Sequence, residues 1–267
     1  VERAGAAKVT IQTCFQTDTG VREHNEDACG VFPFPSPRGT LFLLVVADGL
    51  GGHPAGEVAS SLAVRELHLS VLHGIPALPS IDQASLRALL ARGFERANRA
   101  VLDYPERDPA CLGMGTTMVA ALLAETGEGV CGNVGDSRAY LVGDKIAQIT
   151  RDHSRVQELV DRGLIDVSLA PVHPLRHIVT RIIGRAGDSP DFYPFTLGRD
   201  CLLLCSDGLL DGISESDVAR IVSMTEFPHI CRVLVEEARS RSRDNITVVA
   251  ARRVPVVQTR RGPDSSP

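Results

Sequence analysis

The stretch LFLLVVADGLGGHPAGEVAS, Leu41 to Ser60, carries most of the reading. An unbroken apolar run, Leu41 to Ala47, ends on a single carboxylate, Asp48. Strand-length apolar runs closed by Asp-Gly read as a buried strand and a turn. After the glycines, apolar residues recur at helical spacing (Val58, Leu62, Leu67, Val71), so a helix follows. A lone carboxylate entering an apolar interior costs several kcal/mol unless something pairs with it. The nearest cationic candidate in sequence is His53. Asp48 therefore either makes backbone hydrogen bonds in a turn or holds a metal.

The totals narrow the classes. The chain has 267 residues, 43% of them hydrophobic, and a net charge of −5, which suits a globular protein with a real core. Negative net charge and 4% aromatic content without tryptophan argue against nucleic-acid binding, which rewards clustered positive charge and stacking platforms. No apolar run approaches the roughly 20 residues of a membrane helix. The start, VERAGAAKVT, has no signal-peptide core. Seven cysteines, an odd number set mostly in apolar stretches, read as reduced thiols of a cytoplasmic protein.

Outward from Asp48, VTIQTCFQTD alternates as a strand. ASLRALLARGFERANRAVLDY is a second long amphipathic helix. TTMVAALLA, GVCGNVGD and SRAYLVG are short strands, and Gly143-Asp144 turns a hairpin into KIAQIT. One helix, SRVQELVDRG, interrupts the His- and Arg-rich segment Arg151 to Gly187. DFYPFTL and DCLLLCSDG follow as strands. Ser214 and Asp217 resemble a capping box opening the next helix. PHICRVLVEEARSRS is a final helix and NITVVAARR a final strand. Helices in pairs and strands in runs predict antiparallel sheets with helices on their outer faces, an α+β architecture.

Asp48 has company. Asp207 ends LLLCSDG, Asp136 lies in GNVGDSR, Asp244 opens the last strand, and REHNEDA supplies Glu26 and Asp27. Each alone is explained by the preference of Asp for turns. Five segments aiming carboxylates from strand ends would repel one another if they converge. Hard divalent cations such as Mg²⁺ and Mn²⁺ answer that repulsion with oxygen coordination. Zinc spacing, an EF-hand loop, a P-loop and a G-x-S-x-G elbow are all absent.

The series TDTGVREHNED, VVADGLGGHPAGEVAS, GMGTTMVA, GNVGDSRAYLV, ITRDHS, HPLRHIVTRIIG, LLLCSDGLLDGIS and RDNITVV resembles the bacterial PP2C-type, metal-dependent PPM phosphatases over about Thr17 to Val249. The resemblance implies a four-layer αββα sandwich and a catalytic domain over 1–255; the tail 256–267, ending TRRGPDSSP, reads as disordered. It implies hydrolysis of phosphoserine and phosphothreonine in proteins by two Mn²⁺ or Mg²⁺ ions that activate a bridging water. By the same resemblance Asp48 bridges the ions, and Asp207 and Asp244 complete the first site. Glu26 and the Gly49 carbonyl belong to the second, Asp27 acts through an intervening water, and Asp136 with Asp207 holds a third ion. Arg22 grips the phosphate, its alternative being an ion pair with Glu23 or Glu26. Where animal relatives carry His after Asp-Gly this chain has Leu50; a three-residue insertion brings His53 to the role of general acid. Arg151 to Gly187 matches a flap beside the site, with His153, His173 and His177 either functional or merely packed. The implied partners are phosphoproteins and the bacterial Ser/Thr kinases that make them. A monomer is expected, and Val1 is not a natural start, so a longer chain is expected too. A phosphatase of sigma-factor regulators and a non-hydrolysing phosphoprotein-binding domain are the alternatives; retention of Glu26, Asp48, Asp136, Asp207 and Asp244 argues against the second.

Overall fold

The computed structural model describes residues 9–50 and 55–255. His53 and the segment 256–267 lie outside the described residues. The first half of the chain runs β1 (Val9–Asp18), β2 (Asp27–Phe34), β3 (Leu41–Asp48), α1 (Gly56–Gly74), α2 (Gln83–Asp103), β4 (Met118–Ala124) and β5 (Glu128–Val134). Then come β6 (Arg138–Val142), β7 (Ile146–Gln148), α3 (Arg155–Asp161), β8 (Asp191–Thr196) and β9 (Cys201–Cys205). The chain closes with α4 (Asp207–Gly212), α5 (Glu215–Met224), α6 (Ile230–Arg239) and β10 (Ile246–Pro255).

Two five-stranded sheets result, ordered β1-β10-β9-β6-β7 and β2-β3-β4-β5-β8, with every pairing antiparallel. The unbroken apolar run of β3 follows from burial on both faces. Leu41, Leu43 and Val45 pack with Leu67, Leu86 and Leu90 of the α1–α2 pair. Phe42, Leu44 and Val46 meet Leu202, Leu204 and Val249 across the sandwich. On the far side, Leu203 and Val248 pack with Val218 and Leu234 of the α5–α6 pair. Helix, sheet, sheet and helix therefore stack as the periodicities predict. The capping box of α5 is formed, with Ser214 and Asp217 each accepting from the other's backbone N–H. All seven thiols are free. Among the described residues no helix is long and apolar enough to cross a membrane.

Two elements go beyond the sequence reading. The segment after Asp27 is a full strand, β2, despite Pro33. It lies at the sheet edge, where a residue without an N–H is tolerated. Asp207 does not merely end a strand; it is the first residue of α4, a single turn and a half. Gly208 permits this, since a Cβ there would lie 2.0 Å from the Asn245 carbonyl oxygen.

Candidate metal centre

The alternation of β3 explains why an apolar strand ends in a charge. Asp48 continues the row Phe42, Leu44, Val46 that faces the opposite sheet, at the point where that row reaches the rim of the sandwich. Directly across the β2–β3 pair from Asp48 is Asp27, so two carboxylates share one face, a destabilising arrangement for like charges. Asp207 arrives from the opposite side of the sandwich, just past the end of β9, and is close enough for its charge to raise the Asp48 carboxyl. Asp136 comes from the β5–β6 turn.

Hydrogen bonds pin Asp48, Asp27 and Glu26. The Asp48 N–H donates to Thr117 Oγ1 at 3.1 Å, and its carbonyl accepts from Thr117 N–H at 2.8 Å and Thr116 Oγ1 at 2.8 Å. That is the work of the Thr-Thr pair in GMGTTMVA. Ser206 Oγ donates to Asp27 Oδ2 at 2.8 Å and accepts from Thr247 N–H at 3.0 Å. Buried Asn245 gathers the loop before β2: its Nδ2 donates to the Thr19 and His24 carbonyls, both at 2.9 Å, and its Oδ1 accepts from Glu26 N–H at 2.8 Å. Reading only carboxylates missed Thr116, Thr117 and Asn245; their signal was a polar residue beside an apolar run at a strand end.

The electrostatics are those of an uncompensated cluster. Burial first, then Asp27, Asp207, Asp136 and Asp244, push the Asp48 carboxyl well above its ordinary value. Burial and its acidic neighbours likewise raise Asp27 to about 7, Asp136 to about 8 and Asp207 to about 6. Burial also raises Glu26, against the pull of Arg22. Asp27 Oδ1 and Asp207 Oδ1 are buried with no hydrogen-bond partner, the orphaned lone pairs a cation would take. The Glu26 carboxyl lies against Gly56 in the first turn of α1, where a Cβ would sit 3.0 Å from its carboxyl carbon; a helix N-terminus favours that negative charge. Gly49 is pressed on the backbone of Gly56, its virtual Cβ 2.4 Å from the Gly56 carbonyl oxygen. As placed, no three of the described His, Cys, Asp or Glu side chains close on one point, so the acids are gathered around the rim but not drawn into a finished cage. All-oxygen donors, orphaned oxygens and mutually raised acids fit a hard divalent cation.

Arg22 stands at the edge of this cluster, half-exposed. It pairs neither with Glu23 nor with Glu26 but with Asp244, Nη2 to Oδ2 at 2.8 Å, while Nε donates to the Arg243 carbonyl at 3.0 Å. Of the flap histidines, His177 is exposed beside the cluster, and His173 accepts from Leu175 N–H in a local turn. His153 is buried and bonded at both ring nitrogens. A cleft of about 800 Å³ starts at Asp136 and Asp207 and runs between the flap and the α4–α5 segment. Arg176 on the flap reaches Asp211 of α4 at 3.4 Å.

Two sheets with flanking helix pairs form an α+β sandwich with an acid cluster at its rim, and solved phosphatase structures share that sandwich. Residues 19–242 match the family model for protein phosphatase 2C, and the chain belongs to that family. It is 38% identical over 246 residues to the serine/threonine phosphatase Stp of Listeria innocua, covering 90% of this chain and 94% of that protein. The crystal structure of serine/threonine phosphatase Stp1 from Staphylococcus aureus aligns with a TM-score of 0.82 at 36% identity, covering 94% of this chain and 98% of that one. The catalytic domain of the phosphatase PstP, solved in complex with two manganese ions, aligns with a TM-score of 0.76 at 34% identity, over 92% and 99% of the two chains.

Proposed function

We propose that this chain is a metal-dependent serine/threonine protein phosphatase that opposes Ser/Thr protein kinases in the cytoplasm. The observation that carries the reading is the gathering of Asp27, Asp48 and Asp207 at one rim of the sandwich, with raised affinity for protons and two orphaned oxygens. At neutral pH such a cluster either retains protons or draws positive charge into its midst. Asp48, Asp207 and Asp244 would hold one ion, Glu26 and the Gly49 carbonyl a second, with Asp27 behind them and Asp136 serving a third with Asp207. Mn²⁺ or Mg²⁺ bound there supplies Lewis-acid charge for phosphoester hydrolysis by water.

The remaining roles belong to the chain. Arg22 spends Nε and Nη2 on Arg243 and Asp244, while Nη1 bonds to none of the described residues, so a donor remains for a phosphoryl oxygen. A guanidinium keeps its charge at any working pH and suits the planar spread of phosphate oxygens. The cleft beside Asp136 and Asp207 is wide enough for a polypeptide segment, which suits a phosphoprotein rather than a small ester. One copy of the chain carries every candidate residue, in keeping with a monomer.

The test is hydrolysis of p-nitrophenyl phosphate and a phosphothreonine peptide with Mn²⁺, with EDTA, and with Asp207→Ala. Activity that survives EDTA, or that survives in the variant, removes the metal mechanism. A wild-type protein that binds the phosphopeptide without cleaving it would favour the binding-domain alternative.

A further inference from the structure

His153 is 6% exposed and lies between β7 and α3. Its Nδ1 accepts the Gly135 N–H at 3.2 Å, and its Nε2 lies 2.9 Å from Asp191 Oδ2 at the start of β8. A backbone N–H donating to Nδ1 places the ring proton on Nε2, which therefore donates to Asp191. Asp191 also accepts from Arg181 Nη1 at 3.2 Å. The backbone N–H of His153 donates to the Gly135 carbonyl at 2.9 Å. Both polar groups of Gly135 thus meet His153, and its carbonyl also accepts from Asn133 Nδ2 at 3.0 Å.

Gly135 needs that support. Its φ is +108°, a region that side-chain-bearing residues rarely enter, and a Cβ there would lie 2.5 Å from Thr117 Cβ. Asp136 is the next residue, so the orientation of the Gly135 peptide decides where its carboxylate points. On its other side His153 is tied to the returning limb of the flap. Its carbonyl accepts Thr180 N–H at 2.7 Å, and Ser154 forms an isolated bridge with Val179.

We propose that His153 is a positioning residue: its ring and backbone lock the Gly135 turn that presents Asp136 to a cation, and link that turn to the flap through Thr180. The proposal rests on the reading that Asp136 serves a third cation. A histidine that only filled space would leave cation affinity alone when truncated. A residue that orients a ligand through the neighbouring peptide changes affinity at that site and spares the others, by the roughly 10–100-fold typical of outer-shell partners.

The test compares wild type, Asp136→Ala, His153→Ala, His153→Asn and Asp191→Ala by Mn²⁺ titration calorimetry, and follows the Gly135 amide resonance in the metal-free proteins. Asp136→Ala is expected to erase one Mn²⁺ site. His153→Ala weakens the same site about 10–100-fold, leaves the other sites unchanged and moves the Gly135 amide. His153→Asn, whose Oδ1 can stand in for Nδ1, recovers most of both, and Asp191→Ala falls between. If Asp136→Ala loses the site while His153→Ala keeps wild-type affinity and an unmoved Gly135 amide, the proposal is wrong. If Asp136→Ala itself keeps every site, the third-cation reading fails instead, and the Gly135 amide alone decides whether His153 orients the turn. Should His153→Ala not fold, Asp191→Ala and His153→Asn decide: wild-type affinity in the first, or a full loss in the second, overturns it.

Discussion

The acids between the sheets and the ion pair at the rim are built on opposite principles. Asp27, Asp48 and Asp207 sit at strand and helix ends with no basic side chain among their hydrogen-bond partners; burial raises all three, and repulsion from neighbouring acids, Asp244 among them, adds to it. Asp244, a few residues from the same place, is met by Arg22 at 2.8 Å, with the two side chains 31% and 48% exposed. The inner acids have no cationic side chain bonded to them, whereas Asp244, which the proposed site shares, already has one in Arg22. A protein that only needed stability would have filled the inner position with apolar residues. Keeping the acids there signals that their partner comes from solution.

The sharpest way to break this contrast is Asp207→Ala. Phosphatase activity should fall by at least roughly 10³-fold, several kcal/mol of barrier, while the metal-free protein melts no lower than wild type, because one repelling charge is gone. A melt that drops along with activity would mean Asp207 is structural. Next in size is Gly208→Ala. A methyl group 2.0 Å from the Asn245 carbonyl oxygen must push α4 off β10, costing about 3 kcal/mol in denaturant unfolding.

A pH series on the metal-free protein tests the inner group as a whole. These carboxyls have folded pKa values raised above the ordinary 3.8, to about 6 for Asp207, 7 for Asp27 and 8 for Asp136. A raised acid contributes stability below its unfolded value and loses that contribution as pH rises through the folded one. Between pH 4 and 8 the metal-free protein should therefore weaken, by on the order of 2 kcal/mol once water access is allowed for, and saturating Mn²⁺ should flatten the slope. A metal-free melt that rises over that range contradicts the cluster. The smallest effect belongs to the rim. Arg22→Lys should raise KM for a phosphopeptide about tenfold through loss of the planar fork. Its Tm should stay within about 2 °C, because exposed ion pairs contribute about 0–1 kcal/mol. A large loss of Tm with KM unchanged would make Arg22 a structural tether of Asp244.

Much of this was legible in the order of residues. The runs at Leu41–Ala47 and Leu202–Cys205 and the helical periods after Gly56 and Gln83 became the elements they predict, because alternation and 3.6-residue repeats are local properties. β2 was not legible, since Pro33 reads as a breaker until the strand is known to be an edge. The role of His153 was not legible either. A histidine in a polar segment has the same local signature whether solvated or locked, and its partners Gly135 and Asp191 lie 18 and 38 residues away.

By itself the sequence determined the family, the layered α+β plan and the list of acids that end apolar strands. Only the tertiary structure decided which of them meet. Arg22 chose Asp244, 222 residues distant, over the neighbouring Glu23 and Glu26, because Asn245 folds the loop before β2 onto the start of β10. Asp27 faces Asp48 because one register of the β2–β3 pair keeps Val31 and Cys29 against the core. Periodicity is written within a few residues. Convergence is set by strand register and sheet packing over the whole chain.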